Sequence, residues 1–415
     1  MRTRIHHWFE EVRTGFWFVP IVMLLASAVL ALLLLYLDGH LDPTAKHTLR
    51  WAYSGGPSGA RSLLSTIAGS MITAASVTFS LASVALSISS QQYGSRVLRN
   101  FMRDTITQVL LGTFLSTFIY CVLVVRTIRG SDYGGFVPAI SVTVAIALTV
   151  VSLVLLVFFI HHISASIQAS RIIEVISKNI KSTIPRLYPV GSGDPSPDHS
   201  HIERSFTGPQ LTVAIVDSGY VQSIDLSALI SLATEHNLIV EVLVQPGDPL
   251  VQGDPVARVW GGAQVTKPMT HRILRSFLLG GDRTDEQDIR FQFQQLTDVV
   301  VRALSPGIND PFTAINGTDE LARNLQMMAR HAPRHGNLLD KQGELRVVAP
   351  LATLGELLHQ TVGHIAIYAA KDAFVMDGLR RVLNVVEREV RDDENVTAIA
   401  RLRAEIDRRQ QDEAV

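Results

Sequence analysis

SLLSTIAGSMITAASVTFSLASVALSISS, residues 62–90, is the stretch that decides the fold. Every third or fourth position gives Ser62, Thr66, Gly69, Thr73, Ser76, Ser80, Ser83, Ser87 and Ser90. Alternating steps of four and three are the heptad spacing that keeps one seam on one side of a helix. The positions between are mostly Leu, Ile, Val, Ala, Met and Phe, and no charged residue lies between Arg61 and Arg96. As a helix the stretch is roughly 43 Å long, more than the roughly 30 Å hydrocarbon core of a bilayer. The expectation is one membrane helix with a continuous seam of small hydroxylic residues. Small residues let helix backbones approach closely, and hydroxyls bond across the contact or back to their own helix. Alternatively, hydroxyls facing a common axis in a ring of subunits line a water-filled path.

The rest of the chain agrees with a membrane protein carrying a large soluble part. Of 415 residues 47% are hydrophobic and only 18% charged, and mean hydropathy is positive. A net charge of -1 gives no case for nucleic-acid binding. The single cysteine, Cys121, excludes an intrachain disulfide and any multi-cysteine metal site, and sits in an apolar stretch as a small core residue.

Working outward, a basic and aromatic lead-in (Arg2, Arg4, His6, His7, Trp8, Arg13) precedes an apolar run at 16–37, too long for a signal-peptide core and read as a retained span. Further spans are expected at 106–125 and 136–160, so that residues 1–160 form a four-span membrane domain. The segment joining spans two and three carries Arg96, Arg99 and Arg103 on one helix face. Arg171, Lys178, Lys181 and Arg186 follow span four. This excess of positive charge favours both termini in the cytoplasm.

Residues 161–205 read as a connecting helix and linker, stopped by Pro185 and Pro189. From 206 to 268 a β-rich module is expected, with strands at 211–216, 219–224, 238–244 and 256–260, and a short helix capped by Asp225. Its PGDPLVQGDPVA turns at 246–257 resemble the half-motif of biotinyl- and lipoyl-like sandwich domains, a resemblance of roughly 45 residues that implies a barrel-sandwich-like architecture. No lysine lies between Lys181 and Lys267, so the swinging-arm function has no counterpart. Residues 269–415 read as helical, with one helix starting at 285–287 and a solvated, charge-dense tail helix over 387–415.

Two stretches carry a resemblance over nearly the whole chain. VTFSLASVALSISSQQYGSRVLRNF at 77–101 and DVVVRALSPGINDPFTA at 298–314 resemble the predicted bacterial inner-membrane family known as domain of unknown function twenty-two fifty-four. The resemblance implies four membrane helices and a cytoplasmic C-terminal region in the bacterial inner (plasma) membrane. It supplies no activity.

The candidate sites follow. The seam residues Thr66, Gly69, Thr73, Ser76, Ser80, Ser83 and Ser87 are candidate pore-lining positions. Arg96, Arg99 and Arg103 form either an inner mouth or an anchor to lipid headgroups. Arg302, Asn309 and Asp310 are a candidate ligand or subunit contact, with Asn309-Asp310-Pro311 also readable as a helix N-cap. No catalytic set is recognised: His331 and His335 are separated by Pro333, and Glu356, His359 and His364 lack metalloprotease spacing. No enzyme activity, cofactor or metal is expected. The fold class is a four-span α-helical integral membrane protein with a cytoplasmic α+β region. The leading function is a homo-oligomeric channel for ions, lined by span two and assembled or gated by the soluble region. The alternative is a non-conducting scaffold or sensor whose soluble domain binds a partner or small ligand.

Overall fold

The computed structural model describes residues 17–40, 53–93, 105–129, 136–166, 168–188, 210–261, 266–331 and 336–414. Two compact units emerge, Met1–Gln168 and Ala169–Val415. The basic lead-in, the whole 191–204 linker and the Arg96, Arg99 and Arg103 segment lie outside the described residues.

The first unit is four helices, α1 Phe18–His40, α2 Pro57–Tyr93, α3 Thr105–Thr127 and α4 Ala139–Ser166. All four are long and apolar enough to cross a membrane. Helix α3 is the centre, burying Leu110, Phe114, Tyr120, Cys121 and Val124 against its neighbours. Gly112 lets α1 come close: a Cβ there would stand 3.2 Å from the Pro20 Cα. Polar ties cross the bundle where hydrocarbon offers no water. Ser27 Oγ donates to the Ser116 carbonyl at 2.7 Å and Tyr120 Oη to the Ser141 carbonyl at 2.9 Å.

The second unit has a β part and a helical part. Strands β1 Gln210–Ala214, β2 Gly219–Ile224, β3 Ile239–Val242, β4 Pro249–Leu250 and β5 Pro255–Trp260 fall in the expected module, with α6 Leu226–His236 capped by Asp225, whose side chain accepts from the Ala228 amide at 3.0 Å. The region read as helical supplies further strands: β6 Phe277–Gly280 after α7 Lys267–Arg275, then β7 Asn337–Leu339 and β8 Leu345–Val348. A five-stranded sheet runs β1-β5-β3-β8-β7 and a three-stranded one β4-β2-β6. Only β3 and β8 pair in parallel within the larger sheet, Val240 opposite Val347. The two sheets share one core that includes Val221, Leu229, Val240, Val256, Ile273 and Val347.

The helical part contains α5 Ala169–Leu187, α8 Ile289–Ala303, α9 Pro311–His331, α10 Leu354–Leu358, a π-turn His359–Gly363, α11 His364–Ala369, α12 Ala373–Glu387 and α13 Asp393–Ala414. The helix expected from 285 begins only at Ile289, because Asp288 caps it by accepting from the Phe291 amide. The tail helix is not wholly solvated: α13 buries Ile399, Leu402 and Ile406. Side-chain ties fix directions. Ser177 meets Asn324, and Tyr188 O lies 2.9 Å from His331 Nδ1, so α5 and α9 run parallel. Asp319 meets Arg381, and Gln326 meets Glu389, so α9 and α12 run parallel too. Arg380 meets Asp407, and Glu387 meets Arg403, so α13 runs against them. One end of the bundle therefore holds the starts of α5, α9 and α12. At the other end, the Gln287 carboxamide accepts from the β2 residue Ile224, and Arg290 donates to Asp248 beside β4.

Candidate functional site

Helix α2 has two unlike faces. On one, Leu64, Ile67, Ala68, Met71, Ala75 and Ala85 are buried in the four-helix core. On the other, Ser62, Thr66, Gly69, Thr73, Ser76, Ser80, Ser83 and Ser87 are all exposed. The seam therefore takes no part in packing within its own bundle. Four of its hydroxyls turn back on the helix: Thr66, Thr73, Ser76 and Ser83 donate to the carbonyl four residues earlier at 2.9 Å. Satisfied this way, the seam is a strip of low side-chain height, flanked by the exposed Ile72, Val77, Phe79, Leu81 and Val84, that can meet either another helix or water.

Beside it lies an open groove of about 630 Å³ lined by Ser65, Thr66, Gly69, Ser70, Thr73, Ala74 and Val77, with Leu156 of α4 as its far wall. At Gly69, one of the lining residues, an added Cβ would meet nothing within 4 Å.

Arg302 lies in the last turn of α8, and Asn309 and Asp310 lie in the turn that leads on to α9. Asp310 is the N-cap of α9, its carboxylate accepting from the Thr313 amide at 3.0 Å and the Thr313 hydroxyl at 2.6 Å. These two hydrogen bonds hold its carboxyl below the usual carboxylate range. Asn309 is left-handed at φ 49°, and the Asp310 amide closes the turn onto the Ala303 carbonyl at 2.8 Å. Arg302 and Asn309 are exposed.

One residue of consequence escaped the sequence reading. Asp38, the only carboxylate among the described residues of the membrane unit, is fully buried. It accepts from the Ile140 amide at 3.1 Å, the Ser141 amide at 2.9 Å and the Ser141 hydroxyl at 2.7 Å. It thus caps the start of α4 from the end of α1, where orphan amides and the helix dipole both favour an anion. The cap is 102 residues away in sequence from the first amide it holds, so no local motif signals it.

Comparison with known proteins agrees with a membrane protein. The model of the family described as "Predicted membrane protein (DUF2254)" matches residues 13–385. Uncharacterized proteins of Mycobacterium bovis and Mycobacterium tuberculosis are each 30% identical over 352 residues, covering 84% of this chain and 67% of theirs. No solved structure matches the chain. Four membrane helices and a match spanning most of the sequence lead to one conclusion: the chain belongs to this family of predicted membrane proteins.

Proposed function

We propose that the protein is a homo-oligomeric channel of the bacterial inner membrane, with α2 lining the conducting path and the soluble unit, on the cytoplasmic side, assembling or gating the ring. The observation that carries the reading is the outward exposure of the whole seam from Ser62 to Ser87. A row of small hydroxylic positions left uncovered by its own bundle suits a surface completed by neighbouring copies. Arg96, Arg99 and Arg103 would then stand at the inner mouth and favour anions. The basic segments between spans two and three and after span four support cytoplasmic termini. The reading assigns no catalytic role to the soluble unit.

The test is single-channel recording of the purified protein in planar bilayers under asymmetric salt. Discrete openings with a displaced reversal potential are expected. Silence from folded, oligomeric protein across voltage and ligand screens would count against conduction.

A second reading is favoured by one observation. Because four seam hydroxyls are already bonded to their own helix, the seam does not need water. The same surface then serves as a dry contact between copies of a non-conducting scaffold or sensor, and Arg302, Asn309 and Asp310 serve as a partner or ligand contact.

A further inference from the structure

The soluble unit leaves large apolar side chains uncovered at one end. Phe312 is 82% exposed and Phe374 76%, with Tyr368, Ile367 and Ile308 also exposed. The helix directions gather all five. Phe312 is in the first turn of α9 and Phe374 in the first turn of α12, which runs parallel to it, Thr318 lying against Gly378 one to two turns further on. Ile367 and Tyr368 close α11, joined to α12 by a short turn in which the Asp372 amide donates to the Ala369 carbonyl. Ile308 lies in the turn that leads into α9. Two phenyl rings with aliphatic neighbours left exposed at one end are the kind of apolar surface that marks an interaction site.

The covalent chain indicates what covers it. Helix α5 starts at Ala169 at this same end, since Ile173 lies close to Gly317 in α9. The fourth span ends at Ile163, six residues before Ala169. Six residues reach at most about 20 Å. The start of α5 at this apolar end is therefore tied by at most about 20 Å of chain to the end of the fourth span, whereas the sheets lie at the opposite end of the bundle. Arg171, Arg302 and Lys371 stand at the same end, together with the carboxylates of Glu174, which pairs with Arg171 at 2.8 Å, and of Asp310 and Asp372, which cap α9 and α12. Exposed aromatic and aliphatic side chains fringed by charged groups of both signs are the chemistry of a contact with the lipid headgroup region.

We propose that this end of the second unit rests on the membrane, with Phe312 and Phe374 entering the headgroup region of the bilayer. The SPGINDPF turn at 305–312 is then a membrane-contact loop, its left-handed Asn309 and Asp310 cap setting the angle at which Ile308 and Phe312 project. This stands whether or not the protein conducts.

The test uses the full chain with Cys121→Ala, reconstituted in phosphatidylcholine vesicles containing phosphatidylglycerol. Nitroxide is attached at Phe312→Cys or, separately, Phe374→Cys, with Val251→Cys in the β part as the aqueous reference. Relaxation by oxygen and by a water-soluble nickel chelate is compared. The expected result is an oxygen-to-nickel ratio several-fold above the reference at both phenylalanine positions. A ratio equal to the reference would overturn the proposal in favour of a solvated end. Shielding from both relaxants would overturn it in favour of cover by protein, a second copy or another segment of the chain. Both substitutions replace exposed side chains, so the two positions check each other against local misfolding.

Discussion

The carboxylate of Asp38 holds both the backbone amide and the hydroxyl of Ser141, at 2.9 and 2.7 Å. The end of the first span thereby caps the start of the fourth, and no water-filled surface is needed to satisfy either partner. Replacement of Asp38 by Ala leaves two amides and a hydroxyl without their acceptor in a buried site. A loss of about 1–3 kcal/mol in stability is expected. Asp38→Asn keeps one acceptor oxygen and should lose less. Thermal unfolding in detergent, followed by the signal of the membrane helices, distinguishes the two variants; equal stability of Asp38→Ala and wild type would refute the role.

The seam makes a prediction of its own. In a Cys121→Ala background, Ser76→Cys, Ser80→Cys and Ser83→Cys should react with water-soluble thiol reagents if α2 lines a wetted path. Complete protection of all three in the assembled protein would point to the dry scaffold.

A charge in the seam separates the same readings by assembly. In a pore, Ser80→Asp should assemble and shift ion preference toward cations. In a dry contact it should abolish assembly, because a charged side chain inside a membrane interface costs on the order of 3 kcal/mol. Native mass spectrometry or cross-linking reads the oligomer, and reversal potentials read the selectivity.

What could be read in the sequence follows from how local each signal is. The spans were legible because a bilayer demands a long uninterrupted apolar run, and α1 to α4 overlap the four expected stretches. The face of α2 was legible from period alone, since the small residues repeat at heptad spacing. The cap at Asp225 was legible because donor and acceptor are three residues apart. The recruitment of β8 beside β3 was not, because Val240 and Val347 are brought together only by the fold. Nor was the burial of α13, whose Ile399, Leu402 and Ile406 are sparse among charges but share one side of the helix.

Gly247 offers a test of how the β part is joined to the helices. Its φ of 92° is costly for any residue with a Cβ, and a Cβ would stand 1.9 Å from the Asp288 carboxylate. That carboxylate caps α8 and is held by Arg283 Nε at 2.8 Å. Gly247→Ala should therefore cost about 1–3 kcal/mol, through backbone strain and displacement of the cap. A melting temperature within a degree of wild type would show that the turn yields freely.

The joint between α5 and α9 predicts a pH dependence. Burial pushes the Glu320 carboxyl up, but hydrogen bonds from Ser177 at 2.6 Å and Lys181 at 2.9 Å, with the charges of Lys181 and Arg323, outweigh it and hold the group below its usual value. A carboxyl lowered in the folded state contributes stability that is present above its unfolded pKa, near 4.3, and is lost as pH falls through the lower folded value. The second unit should therefore loosen on acidification below about pH 4, in part through this residue. Glu320→Gln removes the titrating group and should flatten that limb of the profile while lowering stability at neutral pH. Lys181→Met removes one of the groups that lower the pKa and should move the midpoint of the limb upward. Lys181 is 42% exposed, so solvent screening keeps its share to about 1 kcal/mol or less. Hydrogen exchange of α5 amides between pH 3 and 7 follows the joint directly, and an acid limb identical in wild type and Glu320→Gln would remove Glu320 from the account.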